Sequence, residues 1–286
     1  MVKIITDSGS DIPKEWYGRF NIEVAPLNVI LGEKEYLDGT NIEPADIYKY
    51  VAETRKLPKT SAVSPMVYHE IFERCVKDGD EAVYIGISSG ISASYANAEA
   101  AAKEYKNVYT VDSKSLSSGI ALLVLYACKL RDQGFKAAEI AKNVKRRVTD
   151  VQCSFVVDNM EYLHKGGRCS GVARFASTLL RIKPTIVMTD GKLQVGRKYM
   201  NNLSNALLKY VDDTFIRCPE PELDHIFITY TTAKSDDVAA IKNRILKKHP
   251  FAEVHETVAH ATITSHCGKG TLGILYMTKD EKEGLS

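Results

Sequence analysis

The chain has 286 residues, of which 44% are hydrophobic and 26% charged, values that describe a globular protein long enough for two domains or one large one. A net charge of +2 gives no electrostatic reason to expect nucleic acid, and the basic group Lys142, Lys145, Arg146 and Arg147 reads as a solvated helix face. The six cysteines (75, 128, 153, 169, 218 and 267) contain no C-x-x-C pair, no basic-then-apolar leader precedes the first apolar segment, and the longest apolar run, 120–128, is too short for a bilayer; a reducing cytoplasm is the expected setting.

Residues 2–6 form an apolar strand ending in Asp7-Ser8-Gly9-Ser10-Asp11, a turn whose side chains can satisfy backbone donors, with Asp11 expected to cap a short helix near Pro13. Residues 22–31 read as one further strand in which Pro26 marks an edge or a bulge. A helix over 41–55 carries Pro44 in its first turn. The polar turn 59–65 then supplies Thr60 and Ser61, with Ser64 as N-cap of a helix over 65–77. Residues 82–87 are a buried strand, and the helix after it opens near Ser92 and runs to about Lys103. Strand 107–112 and helices 118–132 and 136–149 continue the alternation, which argues for a parallel, wound α/β layer.

The second half changes character. Strand 153–157 is followed by a polar loop over 162–168 and an amphipathic helix with Val172, Phe175, Ala176, Leu179 and Leu180 on its apolar face, stopping before Pro184. Strands 185–189 and 192–199 flank Asp190-Gly191, a hairpin signal. Helix 201–215, strand 226–231, helix 235–248, strand 253–258 and strand 271–278 complete the chain. Two domains are expected: an N-terminal parallel-sheet α/β domain over 1–150 and a C-terminal α+β domain over 151–286, its sheet antiparallel or mixed.

The richest stretch for chemistry is 84–98, YIGISSGISASYANA. It places Ser88, Ser89, Gly90, Ser92 and Ser94 at the carboxyl end of a strand, where open α/β sheets hold ligands. Free N–H groups at the following helix start, with hydroxyls around them, suit an anion. The same stretch contains Gly86-Ile87-Ser88-Ser89-Gly90, which fits the G-x-S-x-G nucleophile elbow. A serine hydrolase of lipid esters would use Ser88 as nucleophile, His266 or His260 as base, and Asp190 or Asp212 to orient it. Against this, Asp190 belongs to a turn, Asp212 to a polar helix face, and no HGGG-type segment is present. One nucleophile also leaves unexplained the hydroxyls that recur at four turns. The anion site uses more of the chain: Thr60, Ser61, Ser92 and Ser94 as neutral donors, His266 as another, and Arg168 for a charge-assisted bond beside Gly166-Gly167.

Two further patterns are set aside. Ser265-His266-Cys267-Gly268-Lys269-Gly270-Thr271 is no Walker A motif, because Gly270 separates Lys269 from Thr271 and a strand follows. His255, His260 and His266 lack a zinc spacing and have no accompanying cysteine or carboxylate pair, so no metal is expected.

Taken in order, the segments Thr6-Asp7-Ser8-Gly9-Ser10-Asp11, Thr60-Ser61-x-x-Ser64-Pro65, Ser88-Ser89-Gly90-Ile91-Ser92-x-Ser94-Tyr95, Val111-Asp112-Ser113-Lys114-Ser115, Glu161-Tyr162-Leu163-His164-Lys165-Gly166-Gly167-Arg168 and Ser265-His266-x-Gly268-x-Gly270-x-x-Gly273 resemble the DegV-like fatty-acid-binding proteins. Ala62-Val63, Ala93-Ser94, Cys267 and Lys269 depart from that family's usual residues and leave the donors in place. The resemblance implies a fatty acid such as palmitate, stearate or oleate between two domains, its carboxylate on Thr60, Ser92 and His266, with Arg168 and Arg197 bordering it. It implies an apolar tunnel for the tail, for which Phe175, Leu179 and Leu180 are candidates, and a separate fatty acid kinase subunit that converts the acyl group to acyl-phosphate. No catalytic residue and no cofactor are implied. The chain is expected as a monomer, with a transient membrane surface as a further partner. The energetics agree: a buried carboxylate needs several donors, and a C16 tail at ~0.8 kcal/mol per buried CH₂ supplies roughly 10 kcal/mol gross.

Overall fold

The computed structural model describes residues 1–170, 182–200 and 202–280. In chain order the first half contains β1 (Val2–Asp7), α1 (Lys14–Arg19), β2 (Ile22–Ala25), β3 (Asn28–Leu31), β4 (Lys34–Leu37), α2 (Pro44–Thr54), β5 (Lys59–Ser61), α3 (Pro65–Val76), β6 (Glu81–Gly86), α4 (Ser94–Ala102), β7 (Val108–Asp112), α5 (Ser118–Asp132) and α6 (Ala137–Arg147). The second half contains β8 (Val151–Val156), α7 (Glu161–Gly166), β9 (Cys169–Ser170), β10 (Lys183–Thr189), β11 (Lys192–Tyr199), α8 (Leu203–Arg217), β12 (Pro221–Tyr230), α9 (Ser235–Lys248), β13 (Glu253–Val258), α10 (Ala261–Cys267) and β14 (Leu272–Thr278).

Three sheets result. The first is fully parallel, in the order β2-β1-β6-β7. Its central strands β1 and β6 are buried on both faces, as strands inside parallel sheets are. Ile4, Val83 and Ile85 enter one apolar cluster, while the alternate residues Ile5, Ala82 and Tyr84 enter another with α3 and α4. The second sheet is mixed and seven-stranded, in the order β13-β12-β14-β8-β10-β11-β9. Ile226, Ile228, Ile274 and Tyr276 face α8 and α9, while Phe227, Leu275 and Met277 face inward. The apolar helix α5 fills the space between the two sheets, so the largest cluster contains residues of both. Residue 150 lies in a short turn, Val148–Asp150, between α6 and β8, and the packing is continuous across it. The third sheet, β4-β3-β5, is small and antiparallel and packs through Val29 against Ile42, Ile47 and Ala261. It carries Thr60 and Ser61 to the edge of α10.

Several elements differ from the sequence expectation. Residues 22–31 are two strands in different sheets, because Pro26 has no N–H to continue a ladder; the freed Leu27 N–H donates to Ser8 Oγ at 3.0 Å. Asp11 does not cap α1, whose N-cap is Pro13. The Asp11 residue is itself left-handed (φ 50), and its carboxylate accepts from the His260 N–H at 2.7 Å and Ser117 Oγ at 2.5 Å. The 162–168 segment is mostly helical, α7 ending at Gly167 with φ 66. His266 lies on the last turn of α10 rather than in a glycine-rich loop. The strands β4 and β5 had no clear signal, being short. The expected helix bearing Val172, Phe175, Ala176, Leu179 and Leu180 lies outside the described residues. The Asp190-Gly191 turn has both residues at positive φ, 48 and 76, the geometry of a tight hairpin.

Candidate ligand-binding site

A cavity of about 140 Å³ opens where β5, the turn before α4, the end of α7 and α10 meet. Five residues expected at an anion site line it together: Thr60, Ser61, Ser92, Arg168 and His266. Thr60 comes from β5, whose backbone is fixed by pairing with Val29. Its Oγ1 lies 2.8 Å from His266 Nε2. His266 is held in turn by α10, which is pinned at its C-terminus by the Thr231 hydroxyl donating to the Gly268 carbonyl at 2.6 Å. Ser92 Oγ accepts from the Ser94 N–H at 3.2 Å and donates to Ser94 Oγ at 3.0 Å. Ser61 Oγ accepts from Asn28 Nδ2 at 3.2 Å. Apart from Thr262, the remaining wall is largely apolar, with Leu27, Ile87, Ile91, Leu116 and Ile263. A second, smaller void of about 20 Å³ shares Leu116, Ile263 and Cys267 with the first and reaches Phe155 and Leu275 of the large sheet.

Electrostatically the site is nearly neutral. Burial, with the Arg168 charge as a lesser cause, pushes the His266 pKa down from 6.5 to about 4, so the imidazole is uncharged at neutral pH. Its Nδ1 is buried without a hydrogen-bond partner. Gly166 makes that approach possible, since a Cβ there would stand 2.6 Å from Nδ1. Arg168, exposed at the rim, donates from Nη1 to the Gly166 carbonyl at 2.7 Å. It is the one charged side chain among the described lining residues.

Thr262 is a lining residue that the sequence reading missed. Its Oγ1 is buried and has no partner. The signal was available: Thr262 precedes His266 by one helical turn, so both occupy one face of α10. Two expected residues are not brought to the cavity. Ser94 is fully buried behind Ser92, where its Oγ accepts from the Val63 N–H at 3.3 Å and so ties two segments together. Arg197 is exposed on β11 and pairs with Asp213 at 2.7 Å.

The hydrolase constellation is not assembled among the described residues. The buried Ser88 hydroxyl donates to the Gly191 carbonyl at 2.8 Å, while His266 is bonded to Thr60. His260 Nδ1 stands 3.9 Å from Asp11. Asp212 is bound by Arg244 at 2.9 Å and by Lys248 at 3.2 Å. Asp190 sits in the hairpin turn.

Comparison with known proteins places these features in a wider set. A family model described as "uncharacterised protein, DegV family" matches residues 1–279. A DegV domain-containing protein of Clostridium acetobutylicum is 29% identical over 284 residues, covering 97% of this chain and 99% of that one. A solved DegV family structure from Thermus thermophilus, described as binding fatty acid, superposes with a TM-score of 0.90 at 28% identity, covering 97% and 99% of the two chains. A Thermotoga maritima structure described as revealing a fatty acid binding function gives a TM-score of 0.82 at 27% identity, with the same coverage.

Proposed function

The chain belongs to the DegV family, and on that premise we propose that it binds a long-chain fatty acid, with the carboxylate at the Thr60–His266 end of the cavity and the tail along the apolar wall. The observation that carries this reading is the composition of that wall: four hydroxyls (Thr60, Ser61, Ser92, Thr262) and a neutral imidazole meet one arginine at the mouth of an otherwise apolar space. The Thermus and Thermotoga relatives, described as fatty acid binders, support the choice of ligand.

The hydrogen bonding fits an acceptor-only head group. With His266 Nδ1 unpartnered, the tautomer assigned from the Thr60 contact carries its proton on Nε2 and donates it to Thr60 Oγ1. The Thr60 proton is then free for the carboxylate. Thr262 supplies a second hydroxyl without a competing partner, and Ser92 a third, whose proton turns from Ser94 Oγ to the carboxylate. Arg168 lies at the rim beside the carboxylate, where its charge offsets that of the ligand while the guanidinium stays in solvent.

The protein in this reading is a carrier, with no bond made or broken by its own side chains. A carboxyl group held at the rim remains accessible to a second protein. The acyl chain is therefore presented to a separate kinase that forms acyl-phosphate for lipid synthesis in the cytoplasm. No helix among the described residues is long and apolar enough to cross a membrane.

Native mass spectrometry of the purified protein, followed by denaturation and extraction, tests the reading. The expected result is one adduct per chain that extracts as a free fatty acid. A bare protein that takes up no added palmitate or oleate would overturn it.

A further inference from the structure

At the β12–β13 edge of the large sheet, on the inward face that also bears Phe227, three side chains converge. His225 and Glu253 are register partners on adjacent parallel strands, and His255, two residues along β13, lies on the same face. His255 Nε2 is 3.2 Å from His225 Nδ1 and 3.4 Å from Glu253 Oε2, and the third side of the triangle, His225 Nδ1 to Glu253 Oε2, is 3.9 Å. A point equidistant from three atoms so spaced lies about 2 Å from each, the length of a zinc–nitrogen or zinc–oxygen bond.

We propose that His225, Glu253 and His255 form a binding site for a divalent transition-metal ion of the zinc class. Two imidazoles and one carboxylate suit Zn²⁺, Ni²⁺ or Cu²⁺ and give Mg²⁺ or Ca²⁺, which want oxygen, a poor site. His225 binds through Nδ1 and His255 through Nε2. Three protein ligands leave a coordination position free, and it faces an open groove of about 770 Å³ that also includes Trp16, Arg19 and Phe20.

The ligands are held in place by packing. The His255 ring meets Trp16 edge-on at 4.9 Å and lies 4.7 Å from Phe227, so its orientation is set by core residues. Glu253 is the most exposed of the three, with about half its side chain accessible, and gives the ion a route in. Chain spacing hid the site because β12 and β13 are joined through α9, which places His225 far from the Glu253-x-His255 pair in sequence. The expectation of no metal rested on His255, His260 and His266, which lie in three different surroundings.

The test uses the full chain, stripped with a chelator and titrated with Zn²⁺ against a chromogenic competitor, with Co²⁺ absorption as a second readout. One equivalent of Zn²⁺ is expected, with a Co²⁺ spectrum typical of four or five ligands including nitrogen. His225→Ala and Glu253→Gln should each weaken Zn²⁺ binding at least tenfold, while His164→Gln leaves it unchanged. Zn²⁺ should also raise the melting temperature of the wild type and not that of Glu253→Gln, an exposed change that spares the fold. A wild-type chain that binds no stoichiometric Zn²⁺, or a Glu253→Gln chain that binds it as tightly as the wild type, overturns the proposal.

Discussion

Asp7, at the end of β1, and Thr60, within the short strand β5, both stand among serine and threonine hydroxyls, and the two surroundings use those groups differently. The Asp7 carboxylate and the hydroxyls beside it are engaged. The carboxylate accepts from the Ile87 N–H at 2.8 Å, Tyr84 OH at 2.7 Å and the Gly9 N–H at 3.1 Å. Thr6 Oγ1 donates to the Ile85 carbonyl and Ser10 Oγ to that of Asp7, both at 2.7 Å. At the cavity, the Thr262 hydroxyl is buried with no partner at all. A saturated cluster cements the chain to itself, whereas an unsaturated one facing a cavity keeps donors for something that arrives later. The contrast separates scaffold from site in a sequence where residue types alone do not.

The largest expected effect follows from the saturated side. Asp7→Ala leaves the Ile87 and Gly9 N–H groups buried without an acceptor, at ~1–3 kcal/mol each, and leaves the Tyr84 hydroxyl with Tyr68 alone. A loss of roughly 4 kcal/mol or more in urea unfolding is expected. An Asp7→Ala protein as stable as the wild type would remove the distinction between the two clusters.

On the unsaturated side the effects fall on binding. Thr262→Val replaces an unpartnered hydroxyl by a methyl of similar shape, so the ligand-free protein should hold its stability or gain about 1 kcal/mol. Fatty-acid affinity should fall about tenfold, the worth of one lost bond of ~1.4 kcal/mol. His266→Ala should weaken binding further, between tenfold and a hundredfold, since it also frees Thr60 from its fixed position. Displacement of a fluorescent fatty acid measures both. If Thr262→Val destabilises the empty protein and leaves affinity alone, the hydroxyl belongs with the scaffold.

The same contrast explains which parts were legible beforehand. Short continuous apolar runs identified β1, β6 and β14, because both faces of those strands are buried. Asp190-Gly191 identified its hairpin because both residues tolerate positive φ. The split at Pro26 was read as an edge or a bulge, since nothing local says that the two halves pair with different partners. At the site, Thr60, Ser92, Arg168 and His266 could be named from residue type and order. Ser94 could not be told from Ser92, because which of two hydroxyls at a helix start faces a cavity depends on how neighbouring segments pack; Val63 takes Ser94. Arg197 was drawn elsewhere by Asp213, a tertiary pairing. Thr262 was hidden because glycines at 268 and 270 suggested a loop, which masked the helical phase that places it with His266.

The smallest effect is also the one that puts the two clusters on a common scale, in protons. Burial raises the Asp7 pKa from 3.8 to about 6 and lowers that of His266 from 6.5 to about 4. Between about pH 4 and 6 the folded chain therefore keeps a proton on Asp7 that the unfolded chain has released, so this group's contribution to stability declines as pH rises, by at most about 1.4 kcal/mol per pH unit. His266 does the opposite. There the unfolded chain holds the proton and the folded one does not, so its contribution grows with pH by at most a similar amount. Substituting each group should therefore tilt the stability curve in opposite directions. Near pH 5, His266→Gln should show a slope lower than wild type, and Asp7→Asn a slope higher, in ligand-free and metal-free protein. Because each variant is compared with the wild type, titrations elsewhere, such as that of Asp11, also raised to about 6, cancel from the differences. Slopes that shift in the same direction would mean that the two groups are buried in the same protonation sense, and the division between a saturated scaffold and an open site would lose its electrostatic half.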